Sequence, residues 1–315
     1  VKYLVLQTEH LDPECAAWLG QRCELVQCGV DDARAAEYLA RASALVVRTY
    51  TQVNRGLLDR CPNVKVVARG GVGLDNIDVT ECRRRGIKVV YTPEANVQAV
   101  TEYVIALMMD AVRPRVDLSA HVSAAEWNTL RRTYVGQKQV SELVFGIYGF
   151  GRIGRRVARV LAAIGAHVIY HDLLSMPPDW RSTARPVLRE ELLAQSDVIT
   201  LHVDGREENR HLIDGFALGR MKPDVTLINT SRGTVIDPVA LARFLKENPK
   251  ARATLDVHDP EPIEPGSPLL GLANVRLLPH LASCTLSAQR EMAWVVRDVW
   301  RVLNNELPEF EAPEV

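Results

Sequence analysis

The chain has 315 residues, 47% of them apolar and 24% charged, the composition of a globular protein long enough for one to three domains. Its net charge of −1 argues against an electrostatic nucleic-acid binder, and no apolar run approaches the roughly 20 residues that span a bilayer. Six cysteines (Cys15, Cys23, Cys28, Cys61, Cys82 and Cys284) form no C-x-x-C pair, so free thiols and no metal site are expected, in a cytoplasmic protein without a signal peptide. In the first 95 residues, apolar runs at 3–6, 45–47, 64–68 and 87–90 alternate with helix-like segments at 13–19, 32–40 and 53–60. That alternation predicts parallel strands with crossover helices. The glycine-rich stretch 68–78, ARGGVGLDNID, leads into a short helix but lacks the Gly-Lys-Ser/Thr of a phosphate loop. Residues 96–112 place Ala99, Val100, Tyr103, Val104, Leu107 and Met108 along one side of a long helix. The polar stretch 113–140, with Pro114, Trp127, Arg131 and Arg132, reads as a helix plus an extended arm, solvated or in a subunit contact.

Residues 143–172 form the most informative stretch. An apolar strand, 143–148, runs into Gly149, Gly151 and Gly154 at the G-x-G-x-x-G spacing. A helix follows with Ile153, Val157, Val160, Leu161 and Ile164 on one stripe, then a strand at 167–170, and Asp172 stands 18 residues after the last glycine. Such a unit cradles a dinucleotide pyrophosphate at a helix N-terminus, and the acid takes the ribose hydroxyls. A carboxylate there repels a 2′-phosphate, and Leu173-Leu174 supply no cation, so NAD is expected over NADP. The alternation then resumes, with strands at 198–202, 225–229, 253–256 and 275–278 and helices at 190–194, 215–220 and 238–247. A six-stranded doubly wound sheet is expected, followed by one helix over 287–304 with Met292, Val295, Val299 and Val302 inward.

Three residues at strand ends carry chemistry suited to hydride transfer. Arg232, in INTSRG, offers a fork for a carboxylate; His280, after Pro279, titrates near neutral pH; Glu261, in LDVHDPEP, would orient an imidazole and raise its pKa. Taken singly, each reads equally as a surface arginine, a solvated loop acid and a hydrogen-bonded structural histidine, and spacing does not show that they converge.

The motifs VVARGGVGLDNIDV, YGFGRIGRRVA, LINTSRGTVID, LDVHDPEP and LLPHLASCT, in this order, resemble the D-isomer-specific 2-hydroxyacid dehydrogenases across nearly the whole chain. The resemblance implies two Rossmann-like α/β domains separated by a cleft. They are a flavodoxin-like substrate domain of residues 1–96 plus 285–315 and an NAD-binding doubly wound parallel sheet of residues 97–284. It implies a small 2-hydroxyacid or 2-oxoacid substrate and a homodimer formed through 97–135. Arg232 then binds and polarises the substrate, His280 is the general acid/base, and Glu261 pairs with it. Arg152, Ile153 and Thr230 join the three glycines and Asp172 at the cofactor, Asp256 meets the nicotinamide amide, and the Val72 and Gly73 amides receive the substrate carboxylate.

Within the family, VVRTYTQV and ARGGVGLDNID resemble 3-phosphoglycerate dehydrogenases, which implies that Arg48 and Arg69, with Arg84 beside RGI, face a phosphate. The same arginines also read as structural or surface residues. No regulatory domain is expected after the final helix. Glyoxylate/hydroxypyruvate reductases share the catalytic set and stay open. Asp204, where a proline is usual, and DVH before the glutamate resemble the C-terminal-binding-protein corepressors, an NAD(H)-gated alternative. Against that stands Ser283, where those proteins carry an aromatic, while Tyr50 is bulkier than the small residue of phosphoglycerate enzymes.

Overall fold

The computed structural model describes residues 2–113, 115–135 and 138–313; Pro114, expected in the arm, lies outside them. Packing divides the chain into two compact units, 1–98 with 283–315, and 99–282.

The first unit holds β1 (Leu4–Gln7), α1 (Pro13–Gly20), β2 (Glu24–Gln27), α2 (Ala35–Arg41), β3 (Ala44–Val47), α3 (Arg55–Asp59), β4 (Val66–Arg69), α4 (Val79–Arg84) and β5 (Lys88–Tyr91). Its strands pair in parallel in the order β2-β1-β3-β4-β5, with Leu6 opposite Leu45 and Leu45 opposite Val67. Alternate side chains serve opposite faces. Leu4, Leu6, Leu45, Val47 and Val67 pack with Leu39, Leu57 and Leu58 of α2 and α3, while Val5, Val46, Val66 and Ala68 pack with Cys15 and Leu19 of α1. Both faces are apolar because helices cover both, which explains the unbroken apolar runs in the sequence. The side chains of Asp12, Asn54 and Asp78 cap α1, α3 and α4 by accepting N–H groups of the first turn.

The chain enters the second unit along α5 (Val97–Val112), whose buried side carries Val100, Val104, Leu107 and Met108. There follow α6 (Ala124–Thr133), β6 (Val144–Tyr148), α7 (Arg152–Ala163), β7 (His167–His171), α8 (Pro178–Arg181), β8 (Arg185–Pro186), α9 (Arg189–Gln195) and β9 (Val198–Leu201). The unit closes with α10 (Gly215–Leu218), β10 (Thr226–Asn229), α11 (Pro238–Glu247), β11 (Arg252–Leu255) and β12 (Val275–Leu277). Its strands are all parallel, in the order β12-β11-β10-β9-β6-β7-β8, so the order reverses at β6. The chain then returns to the first unit as α12 (Leu286–Ala293) and α13 (Val296–Leu303), whose Val296, Val299 and Leu303 pack on the β1-β3-β4 face beside α1.

Four expectations need correction. The first unit has a fifth strand, β2, a half-exposed edge whose sequence ELVQ is too short to show a period. The second sheet has seven strands rather than six, because the two-residue β8 adds an edge. The single helix expected over 287–304 is two: at Trp294 and Val295 the dihedrals stay right-handed, but Val295 N donates to Met292 O in a three-residue step. Val160 on α7 and Ile164 at its C-cap are exposed, and the buried stripe is Gly154, Val157, Ala158 and Leu161.

Candidate active site

In the second unit, the loop after β6 lies where the strand order reverses, the crevice in which open parallel sheets take a ligand. Gly149 has φ +89°, and a Cβ there would lie 2.8 Å from the His202 carbonyl carbon. A Cβ on Gly154 would lie 2.3 Å from Gly149 O, so the third glycine is what lets α7 close on the loop. Gly151, the N-cap of α7, has nothing within 4 Å of a Cβ position, and it fronts the helix N-terminus with open space. The residues that follow it, Arg152 and Ile153, form the first turn of α7.

Asp172 ends the next strand connection and ties it to this loop: Oδ2 accepts from Phe150 N at 2.6 Å and Oδ1 from Leu174 N at 2.8 Å. Beside β10, the Thr230 hydroxyl is buried without a hydrogen-bond partner. An unsatisfied buried hydroxyl is costly, and with the open glycine face it fits a ligand that donates or accepts there. His202, at the end of β9, is pushed down to about 3 by burial, so it is neutral where it contacts the Gly149 turn. Asp204 binds Arg206 and accepts from Asn209 Nδ2 at 2.8 Å, holding its loop with an ion pair where a proline was expected.

Arg232, Glu261 and His280 stand on loops that follow β10, β11 and β12, three adjacent strands, and the loops are tied to one another. Asn229 Nδ2 donates to Arg232 O at 2.9 Å, and Arg232 donates to Ser231 O at 2.7 Å. A Cβ on Gly233 would fall 1.9 Å from the His258 carbonyl carbon, so the arginine loop rests directly on the glutamate loop. Glu261 Oε2 lies 2.8 Å from His280 Nδ1, and its Oε1 accepts from His258 N at 2.9 Å. Burial opposes the Glu261 charge, but the His280 and His258 hydrogen bonds and the charge on His280 outweigh it and hold the carboxyl below its ordinary range.

His280 has φ +57°, a left-handed conformation that costs a non-glycine residue about 1–2 kcal/mol. It is held there by Asp256: His280 N donates to Asp256 O, and the Asp256 carboxylate accepts from Leu281 N and Ala282 N, each at 2.8 Å. Asp256 is fully buried. Each of its oxygens accepts one backbone N–H beside His280 and keeps a second lone pair for the nicotinamide amide expected there. Sequence reasoning did not find this clamp, nor the roles of Asn229, Gly233 and His258, because contacts to backbone leave no pattern in spacing.

In the first unit, Arg48 directly follows β3 and Arg69 ends β4, its paired neighbour, so both stand at the carboxyl edge of that sheet. Val72 and Gly73 continue the same glycine-rich turn after β4. Arg84 is placed elsewhere: on α4 its Nε and one terminal nitrogen both bind Glu81 at 2.7 Å, which is a surface ion pair.

The model of the D-isomer specific 2-hydroxyacid dehydrogenase NAD binding domain matches residues 105–282. The chain is 37% identical over 299 residues to the (S)-sulfolactate dehydrogenase of Chromohalobacter salexigens, covering 93% of this chain and 96% of that one. It is 36% identical over 288 residues to the D-3-phosphoglycerate dehydrogenase of Mycobacterium leprae, covering 91% of this chain but only 54%, about half, of that longer relative. Among solved structures it is similar to a glyoxylate reductase from Paecilomyes thermophila, with a TM-score of 0.81, 28% identity, and coverage of 99% and 98% of the two chains.

Proposed function

Because the chain belongs to the D-isomer specific 2-hydroxyacid dehydrogenase family, whose members interconvert 2-hydroxyacids and 2-oxoacids with NAD, we propose that its own substrate is a three-carbon acid bearing a second strong oxyanion on C3. 3-Phosphoglycerate/phosphohydroxypyruvate leads, and 3-sulfolactate/3-sulfopyruvate belongs to the same class. The observation that carries this reading is the pair Arg48 and Arg69 at the ends of adjacent strands, two cations together on one edge of the first sheet. The relatives acting on sulfolactate and on D-3-phosphoglycerate support it. The (S) and D descriptors do not conflict, since a C–S substituent outranks carboxyl and inverts the label without moving an atom. Thus (S)-sulfolactate has the spatial arrangement of a D-hydroxyacid.

When bound, NAD supplies or accepts the hydride at the substrate's C2. Gly149, Gly151, Arg152, Ile153 and Gly154 hold the pyrophosphate, Asp172 the ribose, and Thr230 donates its unsatisfied hydroxyl to the cofactor. The Val72 and Gly73 amides and Arg232 bind the carboxylate, and Arg232 also polarises the C2 oxygen. Glu261 engages His280 Nδ1, so the proton is exchanged at Nε2, as its donor in reduction and its acceptor in oxidation. Asp256 sets the backbone that aims this ring.

A second reading, a glyoxylate/hydroxypyruvate reductase, draws on the exposed bulk of Tyr50 beside Arg48, which disfavours a long substrate, and on the glyoxylate reductase neighbour. The homodimer is assigned to 97–135 because α6 buries no residue and leaves Trp127 exposed. The deciding experiment is NADH oxidation over glyoxylate, hydroxypyruvate, phosphohydroxypyruvate and 3-sulfopyruvate. A kcat/KM highest for either C3 oxyanion supports the proposal, and a preference for glyoxylate gives the second reading.

A further inference from the structure

The first sheet reverses its strand order between β1 and β3, the position at which this strand order takes a ligand. Here the position is taken by a side chain of the protein itself. Glu9, just past β1, sends its carboxylate to the segment 48–51 that follows β3. Oε1 accepts from Arg48 N and Thr51 N at 3.0 Å, Oε2 accepts from Thr49 N at 3.0 Å, and Tyr50 N reaches both oxygens at 3.2 Å. Four consecutive backbone donors converging on one point make an anion nest, and Glu9 fills it. Burial opposes this charge, yet the hydrogen bonds from 48–51 outweigh it and hold the carboxyl below its ordinary range.

The segment has little else to hold it. Thr49 and Tyr50 are exposed, and its other ties are Asn76 Nδ2 to the Arg48 and Thr51 carbonyls, at 3.1 and 2.7 Å, and the Thr8–Thr51 hydroxyl pair at 2.7 Å. The backbone from which the Arg48 side chain springs is thus set by the Glu9 charge. We propose that Glu9 is a positioning residue for substrate recognition, fixing the 48–51 backbone so that the Arg48 guanidinium is pre-oriented for the C3 oxyanion. This rests on the reading that Arg48 binds that anion, and the test separates the two.

Glu9→Gln replaces one acceptor oxygen by an NH2 that faces N–H donors. KM for phosphohydroxypyruvate or 3-sulfopyruvate is expected to rise on the order of tenfold, with the loss in KM rather than kcat and much smaller for glyoxylate. Glu9→Asp keeps the charge and should recover part of the loss. In an Arg48→Ala background, Glu9→Gln should add nothing, since the arginine it positions is gone. Equal losses for glyoxylate and the oxyanion substrates, additive losses with Arg48→Ala, or wild-type KM in Glu9→Gln would each overturn the positioning role while leaving the substrate reading intact. An Arg48→Ala enzyme with wild-type KM for the oxyanion substrates would instead overturn that reading, and the positioning role with it. If Glu9→Gln does not fold, as judged by circular dichroism, Glu9→Asp decides by the same comparison of substrates.

Discussion

The Glu261 carboxylate bridges His280 Nδ1, at 2.8 Å, and the His258 backbone N–H, at 2.9 Å, so the acid that orients the imidazole is itself anchored to the strand end that carries it. Its charge favours the protonated imidazole, the form that reduction needs. Glu261→Gln should therefore move the point at which the rate of 2-oxoacid reduction declines to lower pH. The rise of oxidation with pH should move the same way, since it needs the base form of the same ring, and the pH–rate profiles of both directions measure this. Because the Glu261 pKa is depressed in the folded protein, its ionised form contributes stability above the ordinary carboxyl range. That contribution is lost as pH falls through the depressed value, so Glu261→Gln should lose stability at neutral pH and converge with wild type in acid.

His280→Ala removes the proton donor itself. A loss in kcat on the order of 10²–10⁴ is expected, with NADH affinity by fluorescence titration little changed. Added to this variant, Glu261→Gln should have almost no further effect, because it acts through the ring. Additive losses would make Glu261 an independent participant.

Asp172 has two tasks that substitution can separate. Its charge repels a 2′-phosphate, and its oxygens hold Phe150 N and Leu174 N. Asp172→Asn keeps one acceptor and removes the charge, so the preference for NADH over NADPH in kcat/KM should narrow while the loop persists. Asp172→Ala should also weaken NADH, by about 1–3 kcal/mol if the loop donors are left unsatisfied. Equal use of NADPH by the wild type would remove Asp172 from the ribose.

The glycines make a contrast. Gly233→Ala forces a Cβ into the His258 backbone and should cost stability by about 1–3 kcal/mol, together with kcat, since it displaces the loop that carries Glu261. Gly151→Ala meets nothing within 4 Å and should leave Tm nearly unchanged while raising the Kd for NADH. Thermal melts and cofactor titrations of the pair check both.

Much of the fold was legible because the buried strands carry continuous apolar runs and the helices keep their period. The exceptions have local causes. β2 and β8 are edges, the first half wet and the second exposed, both too short for a period, and β8 contains Pro186. The break between α12 and α13 changes only hydrogen bonding, so the apolar spacing of Met292, Val295 and Val299 runs through it unaltered. At the site, residue types named Arg232, Glu261 and His280 as candidates, but spacing could not bring them together. The three adjacent strand ends place their loops side by side. The backbone clamps of Asp256 and Glu9 went unseen for one reason: a carboxylate that accepts backbone N–H groups looks, in a sequence, like any other acid.

The packing of Val296, Val299 and Leu303 on the β1-β3-β4 face bears on how the protein is made. During synthesis all five strands of the first sheet leave the ribosome before the second unit, and the two helices that finish covering one face come after it. At about 5–20 residues per second, the interval is on the order of 10–40 s. Through that time Val5, Val46, Val66 and Ala68 have only α1 to shelter them, whereas the second unit has every strand and helix it needs as soon as it emerges. The first sheet is thus encoded first and covered last, its β1-β3-β4 face closed by α12 and α13.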